Sequence, residues 1–224
     1  MKTAVYFGWR EEPLSRVVEA ILQESFELKL SRETAFGEKI DQAEAAALKP
    51  DFLFSFGPLI VQKPLLDAVR IAAINFHTAP PRWPGRGSCS FALLESDLEF
   101  GVTAHLMVEK LDAGPILKVL RFPIPGEDDC ETLSARTLAL IPDLVRQTVS
   151  DLRANEWQPS LSPEKWARPA LRQKEMAERM RIHEVDSVDV INRKIRAFAH
   201  SKKPGPFIER QGRLFWYLKG KPNA

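Results

Sequence analysis

The chain has 224 residues, enough for one large domain or for one domain with a small appendage. Its 44% hydrophobic and 28% charged residues are ordinary for a globular protein, and no apolar run approaches the roughly 18–20 residues of a membrane helix. The net charge of +2 conceals a segregation: residues 160–224 carry 15 Lys/Arg against 7 Asp/Glu, about +8, which leaves residues 1–159 at about −6. A basic end suits phosphorylated ligands or RNA, and equally a merely solvated surface. The opening MKTAVYFGWR reaches charge too soon for a signal peptide. Cys89 and Cys130 have no metal-binding or redox spacing, so no metal is expected and a reducing cytoplasm is the expected compartment.

In chain order, Thr3–Gly8 predicts a strand, and Leu14, Val17, Val18, Ile21 and Leu22 follow at helical spacing. Phe26–Leu30 alternates as a second strand, alanine-rich Glu38–Lys49 predicts a helix, and Asp51–Phe56 a buried strand. A short helix over Pro64–Val69 precedes the apolar strand Ile71–Phe76. This β-α-β-α-β-α-β order implies an α/β fold with a parallel sheet covered on both faces. Ser88–Leu94 predicts a helix after a Gly-rich loop, and Val102–Val108 and Pro115–Ile124 are strands. A long helix then carries Leu138, Ile141, Val145, Val149 and Leu152 on one face. The pattern breaks near Glu156–Pro163, dividing the chain into residues 1–158 and a small extension, 159–224. The extension holds an amphipathic helix marked by Val188, Ile191, Ile195 and Phe198, and a β-hairpin over Phe207–Leu218 turning at Gln211-Gly212. At about 65 residues it is too small to stand alone and is expected to pack on the main body.

In open α/β sheets, ligands bind beyond the carboxyl ends of the strands. Asn75 and His77 lie at such an end, and their i, i+2 spacing places them on one strand face. A neutral His donates, accepts or carries a proton near pH 7, and an Asn amide supplies an uncharged N–H dipole. Together they suit polarising a carbonyl and stabilising an oxyanion; a lone Asn-x-His fits a structural role as well. Asp112, in Leu111-Asp112-Ala113-Gly114-Pro115, is a carboxylate able to orient an imidazole or accept a proton, in a segment that alone reads as a turn. His105, His183 and His200 have no partner that the sequence names, and mid-strand His105 is expected to be structural.

Asn75-Phe76-His77, a Pro-rich loop, Gly101-Val102-Thr103 and Leu111-Asp112-Ala113-Gly114-Pro115 occur here in that order. In this the chain resembles the formyltransferases that use formyl-tetrahydrofolate as one-carbon donor, well over about residues 50–120 and more loosely toward the start. The resemblance implies a Rossmann-like formyltransferase fold with a mostly parallel central sheet, plus the helix and hairpin extension. It makes Asn75, His77 and Asp112 the catalytic trio for attack of an acceptor amine on the formyl carbonyl. It assigns the folate slot to Gly57, Pro58, Leu59 and Ile60 and to Val108, Glu109, Lys110 and Leu111; Pro58-Leu59-Ile60 equally suits core packing.

Three branches differ in the amine. The loop Phe7-Gly8-Trp9-Arg10 departs from the Gly- and Asn/Ser-rich phosphate loop of glycinamide-ribotide enzymes. The residues after 158 are fewer than the RNA-binding barrel of methionyl-tRNA enzymes needs. The sugar N-formyltransferases resemble this chain in Gly85-Arg86-Gly87, Ile195-Arg196-Ala197 and Pro204-Gly205, although the last two also occur in tRNA-type enzymes. The expected acceptor is therefore a nucleotide-linked amino-dideoxy sugar, with neither nucleic acid nor membrane as partner. Its candidate contacts are Trp9, Arg10, Thr78, Arg82, Gly85, Arg86 and Gly87, since guanidinium groups pair bidentately with phosphate. Trp83 either stacks on the acceptor or buries its ring beside Pro81 and Pro84. A formyl-tetrahydrofolate hydrolase, with water in place of the amine, is the competing enzyme. A sensor that keeps the fold without catalysis has no need of the whole trio. The sequence leaves the oligomeric state open, a homodimer being one form it allows.

Overall fold

Strand-forming runs alternate with amphipathic helices through the first half of the chain, and a computed structural model, which describes residues 1–201 and 205–220, shows what they build. Six strands form one sheet in the order β2-β1-β3-β4-β5-β6: β1 Lys2–Trp9, β2 Phe26–Thr34, β3 Phe52–Ser55, β4 Ala72–His77, β5 Glu99–Leu106 and β6 Ile116–Pro123. The β2-β1-β3-β4 portion is parallel, whereas β5 runs antiparallel to β4 and β6 antiparallel to β5. The mostly parallel α/β reading therefore stands. The strand order switches between β1 and β3, and in open α/β sheets ligands bind outside the carboxyl ends of the strands at such a point.

The strands read as apolar runs because both faces are covered. Phe52 and Phe54 point to one face with Phe26 and Phe76, against Val18, Ile21 and Leu22 of α1 (Leu14–Gln23) and Val145, Val149 and Leu152 of α6 (Ile141–Ala154). Leu53 points to the other, where it meets Val5, Phe7, Ala45 of α2 (Ala43–Ala47) and Leu65 of α3 (Lys63–Ala68). A third cluster gathers Trp83, Phe91 of α4 (Ser88–Leu94) and Leu133 of α5 (Cys130–Ala139). Met180 of α7 (Gln173–Met180), Ala197 and Phe198 of α8 (Val188–Phe198), and Phe207 at the start of the β7–β8 hairpin (Phe207–Arg210, Arg213–Trp216) join the same cluster. Part of the extension thus packs on the main body as expected.

Three expectations need correction. The helix expected over Glu38–Lys49 shrinks to Ala43–Ala47. Before it, the Glu38 carboxylate takes the Ala35 N–H and Asp41 takes the Ala43 N–H, side-chain bonds that favour turns over helix. The single long helix is two, α5 and α6, meeting at Leu140. Pro142 has no N–H for the continuing ladder and sits instead in the first turn of α6, where none is needed. Helix α7 was not anticipated, its apolar residues being too few to mark a face. Of the sequence pairs noted above, Pro204 lies outside the described residues.

Candidate active site

The carboxyl end of β4 carries Asn75 and His77 on the face opposite Ile74 and Phe76. Antiparallel pairing sets His105 of β5 directly across from Asn75, with Asn75 Nδ2 3.1 Å from His105 Nε2. The Leu106 carbonyl accepts from His105 Nδ1 at 2.8 Å, so Nδ1 carries a proton, and one N–H of the Asn75 amide is turned to Nε2. One Asn75 N–H is thereby committed and the other is left for a ligand.

Asp112 lies 6% exposed in the loop between β5 and β6, in the left-handed backbone region at φ 41. Its Oδ2 accepts the Gly85 N–H at 2.8 Å and stands 3.5 Å from His77 Nδ1, while Oδ1 is 3.4 Å from His105 Nε2. The Trp83 carbonyl accepts from His77 Nε2 at 3.0 Å. Both nitrogens of His77 therefore face oxygen acceptors. Asn75, His77 and Asp112 are brought together as the sequence led us to expect. His105 lies among them as a fourth side chain, between Asn75 and Asp112. Knowing that β4 and β5 pair antiparallel would have revealed it.

Burial alone would raise the Asp112 pKa, but the charge of His77, the hydrogen bond and charge of His105 and the Gly85 N–H outweigh it and hold the carboxyl below its usual range. With a folded value below the unfolded one, the carboxylate adds stability at neutral pH. That contribution is lost as pH falls from the ordinary range, about 4, through the depressed value. Asp112→Asn is therefore expected to flatten the fall of stability below about pH 4, read from denaturant midpoints against pH. An unchanged slope would mean that the carboxylate is not held by these partners.

Two loops flank the network. In Pro84-Gly85-Arg86-Gly87 both glycines have positive φ, and a Cβ on Gly85 would overlap the Leu171 backbone. On the other side, Gly57 follows β3, and a Cβ there would come within 3.0 Å of the Gly8 carbonyl oxygen, so the chain after β3 runs close to that at the end of β1. Pro58 and Leu59 are half-buried, whereas Ile60, Val108 and Leu111 leave apolar side chains 68%, 43% and 48% exposed. Glu109 and Lys110 are exposed between the latter two. These uncovered apolar residues beside main-chain loops fit the wall of an aromatic heterocycle slot.

Of the acceptor candidates, Arg86 lies over the ring of Phe36 at 4.8 Å and Trp9 meets the same ring edge-on at 5.3 Å. Phe36, 54% exposed, was missed from sequence because nothing local marks an isolated loop aromatic. Arg10 binds the Glu33 carbonyl and Glu38, and Thr78 is half-buried just past β4. Arg82 is committed elsewhere, paired with Glu95 at 3.1 Å and Asp97 at 3.2 Å, so the structure does not bring it to the other candidates. Trp83 is fully buried and donates its indole N–H to Asp97, which excludes it as a stacking surface. Among the described residues no group of three or more His, Cys, Asp and Glu is placed to hold a metal ion, and no helix is long and apolar enough to cross a membrane.

Comparison with known proteins bears on this site. The family described as formyl transferase matches residues 9–149. The methionyl-tRNA formyltransferase of Ectopseudomonas mendocina is 40% identical over 116 residues, 50% of this chain and 37% of that protein. The chain spans about a third to a half of the length of the curated relatives it matches. A sugar N-formyltransferase from a Shewanella species superposes with a TM-score of 0.78 at 17% identity, covering 99% of both chains. The Helicobacter canadensis N-formyltransferase, solved with folinic acid and dTDP-3-aminofucose, gives 0.72 at 18% identity, covering 95% of this chain and 85% of that one. At such identities the structural likeness establishes the fold. The family match over residues 9–149 goes further: the chain belongs to the formyl transferase family.

Proposed function

We propose that this protein transfers a formyl group from formyl-tetrahydrofolate to the amino group of a nucleotide-linked amino-dideoxy sugar. The observation that carries the reaction is the Asn75–His105–Asp112–His77 network at the carboxyl end of the sheet. The acceptor amine attacks the formyl carbon, and its lone pair displaces the carbonyl π electrons onto oxygen. The second N–H of Asn75 faces the resulting oxyanion, and a ring N–H of His77 adds a second donor. The Trp83 carbonyl holds His77 Nε2–H in this structure, so the oxyanion must displace that carbonyl to use it. Asp112, kept ionised, orients His77 and takes the proton that the attacking amine loses. The folate lies along Gly57–Ile60 and Val108–Leu111, and collapse of the tetrahedral species expels its nitrogen, which takes up the proton that the amine gave to Asp112, and leaves the formyl group on the amine.

For the acceptor, Arg86 and Arg10 supply guanidinium groups for a pyrophosphate, and Trp9 and Phe36 supply rings beside them. The full-length likeness to sugar enzymes, extension included, supports this choice. In this reading residues 1–158 carry the chemistry and 159–224 form the extension, in the cytoplasm, without nucleic acid or membrane. The uncovered run Leu214-Phe215-Trp216-Tyr217-Leu218 on and after β8 supports a homodimer as the working form. One observation favours a second reading: the curated relatives are methionyl-tRNA formyltransferases, which makes charged tRNA the rival acceptor.

Folate turnover with and without an added amine tests the reaction class. Release of tetrahydrofolate only when an amino sugar is present is expected. Equal release without it identifies a hydrolase, and no release under any condition identifies a sensor.

A further inference from the structure

Residues 158–172 form no helix or long strand, yet their main chain is tied at intervals to both loops of the network. Ser162 N donates to the Ile116 carbonyl, Ala167 N to that of Pro81 and Leu171 N to that of Pro84, and Arg86 N donates back to Leu171. Between these ties Glu164 pairs with Arg121, and the Arg168 guanidinium lies 4.2 Å from the centre of the Trp83 ring. The strap therefore joins the segment after Asp112 to the segment after His77.

Trp166 is its half-buried centre. The indole N–H donates to the Gly114 carbonyl at 2.8 Å, two residues beyond Asp112. A Cβ at Gly114 would overlap the Leu106 carbonyl oxygen, and Leu106 N binds Pro115, so this loop has little room to settle differently. The same indole meets the His105 ring at 5.0 Å and 88° and the His77 ring at 5.8 Å and 69°. One side chain from beyond residue 158 thus touches both imidazoles and anchors the loop that presents the carboxylate between them.

We propose that Trp166 is a positioning residue for the reaction: it fixes the Asp112 loop and wedges His77 and His105 into the geometry in which Asp112 bridges them. The inference rests on the formyl-transfer reading. It implies that the reacting groups, which all lie in residues 1–158, are set only when the strap from the extension is seated. Edge-to-face packing and a hydrogen bond to a carbonyl are each modest, but catalysis loses rate steeply when reacting groups drift by about 1 Å.

The test uses the full chain carrying Trp166→Phe, which keeps an aromatic ring and loses the N–H, and Trp166→Ala. Turnover is expected to fall about tenfold in the first and about a hundredfold in the second, with KM for donor and acceptor within about twofold of wild type. The ring resonances of His77 and His105, followed by NMR, are expected to move in both variants while those of His183 stay in place. Should Trp166→Ala fail to fold, Trp166→Phe carries the test. Unchanged turnover in the folded variants, or a rise in KM alone, would overturn the proposal. If wild type forms no formylated product, the formyl-transfer reading fails, and the resonances decide the positioning role: rings that do not move refute it.

Discussion

His77→Asn is expected to lower turnover at least about a hundredfold, the scale of losing an oxyanion donor or a general base. The ring is the hinge of the network, set between the Trp83 carbonyl and the Asp112 carboxylate, and an Asn reaches one of these acceptors at most. Asn75→Ala and Asp112→Asn are expected to cost as much. Asn75 holds the free amide N–H, and loss of the carboxylate leaves two imidazoles and the Gly85 N–H without their shared partner. Single-turnover rates with saturating donor and acceptor read the chemical step, and circular dichroism confirms that each variant folds. Near-normal turnover in folded His77→Asn would remove His77 from the chemistry and leave the network a structural device.

Arg86→Lys is expected to weaken acceptor affinity roughly ten- to a hundredfold and to leave the folate donor almost unaffected. The flanking glycines bring this residue close to the site, and its guanidinium lies over Phe36. Lysine keeps the charge but loses the planar fork that grips two phosphate oxygens and stacks on a ring. A charge-assisted hydrogen bond is worth about 1.5–3 kcal/mol, which sets the expected range. Donor and acceptor are titrated separately against the variant. Equal weakening of both would indicate a collapsed loop, and an unchanged acceptor constant would assign Arg86 to holding Phe36 alone.

What was legible in the sequence follows from the range of the interactions. The strands and α1 declare themselves because both faces of the sheet and one face of the helix are buried, and burial writes a short-period pattern. Asn75, His77 and Asp112 were legible as a set through the resemblance, since each sits in a recognisable local segment. That His105 neighbours the trio was not legible because its place comes from the antiparallel pairing of β4 with β5, a fact of topology that no local pattern carries. Trp166 stands 52 residues from the carbonyl it binds, in a segment whose alternating burial is set by the loops beneath it. That Arg82 pairs with Glu95 and Asp97, and that Trp83 buries its ring with its N–H on Asp97, likewise depends on carboxylates a dozen or more residues away. The shortening of α2 is a similar case: Asp41 and Glu38 bond to nearby N–H groups, and helix propensity yields to those bonds.

Formyl transfer to the amine of a nucleotide-linked amino sugar is tested most directly by a mass measurement over an acceptor panel. The intact chain is incubated with formyl-tetrahydrofolate and, in parallel, a set of nucleotide-linked amino sugars, glycinamide ribotide and methionyl-tRNA. The result expected is a gain of one formyl group on at least one amino sugar, lost in His77→Asn. Formylation of methionyl-tRNA, with every amino sugar unchanged, would contradict it.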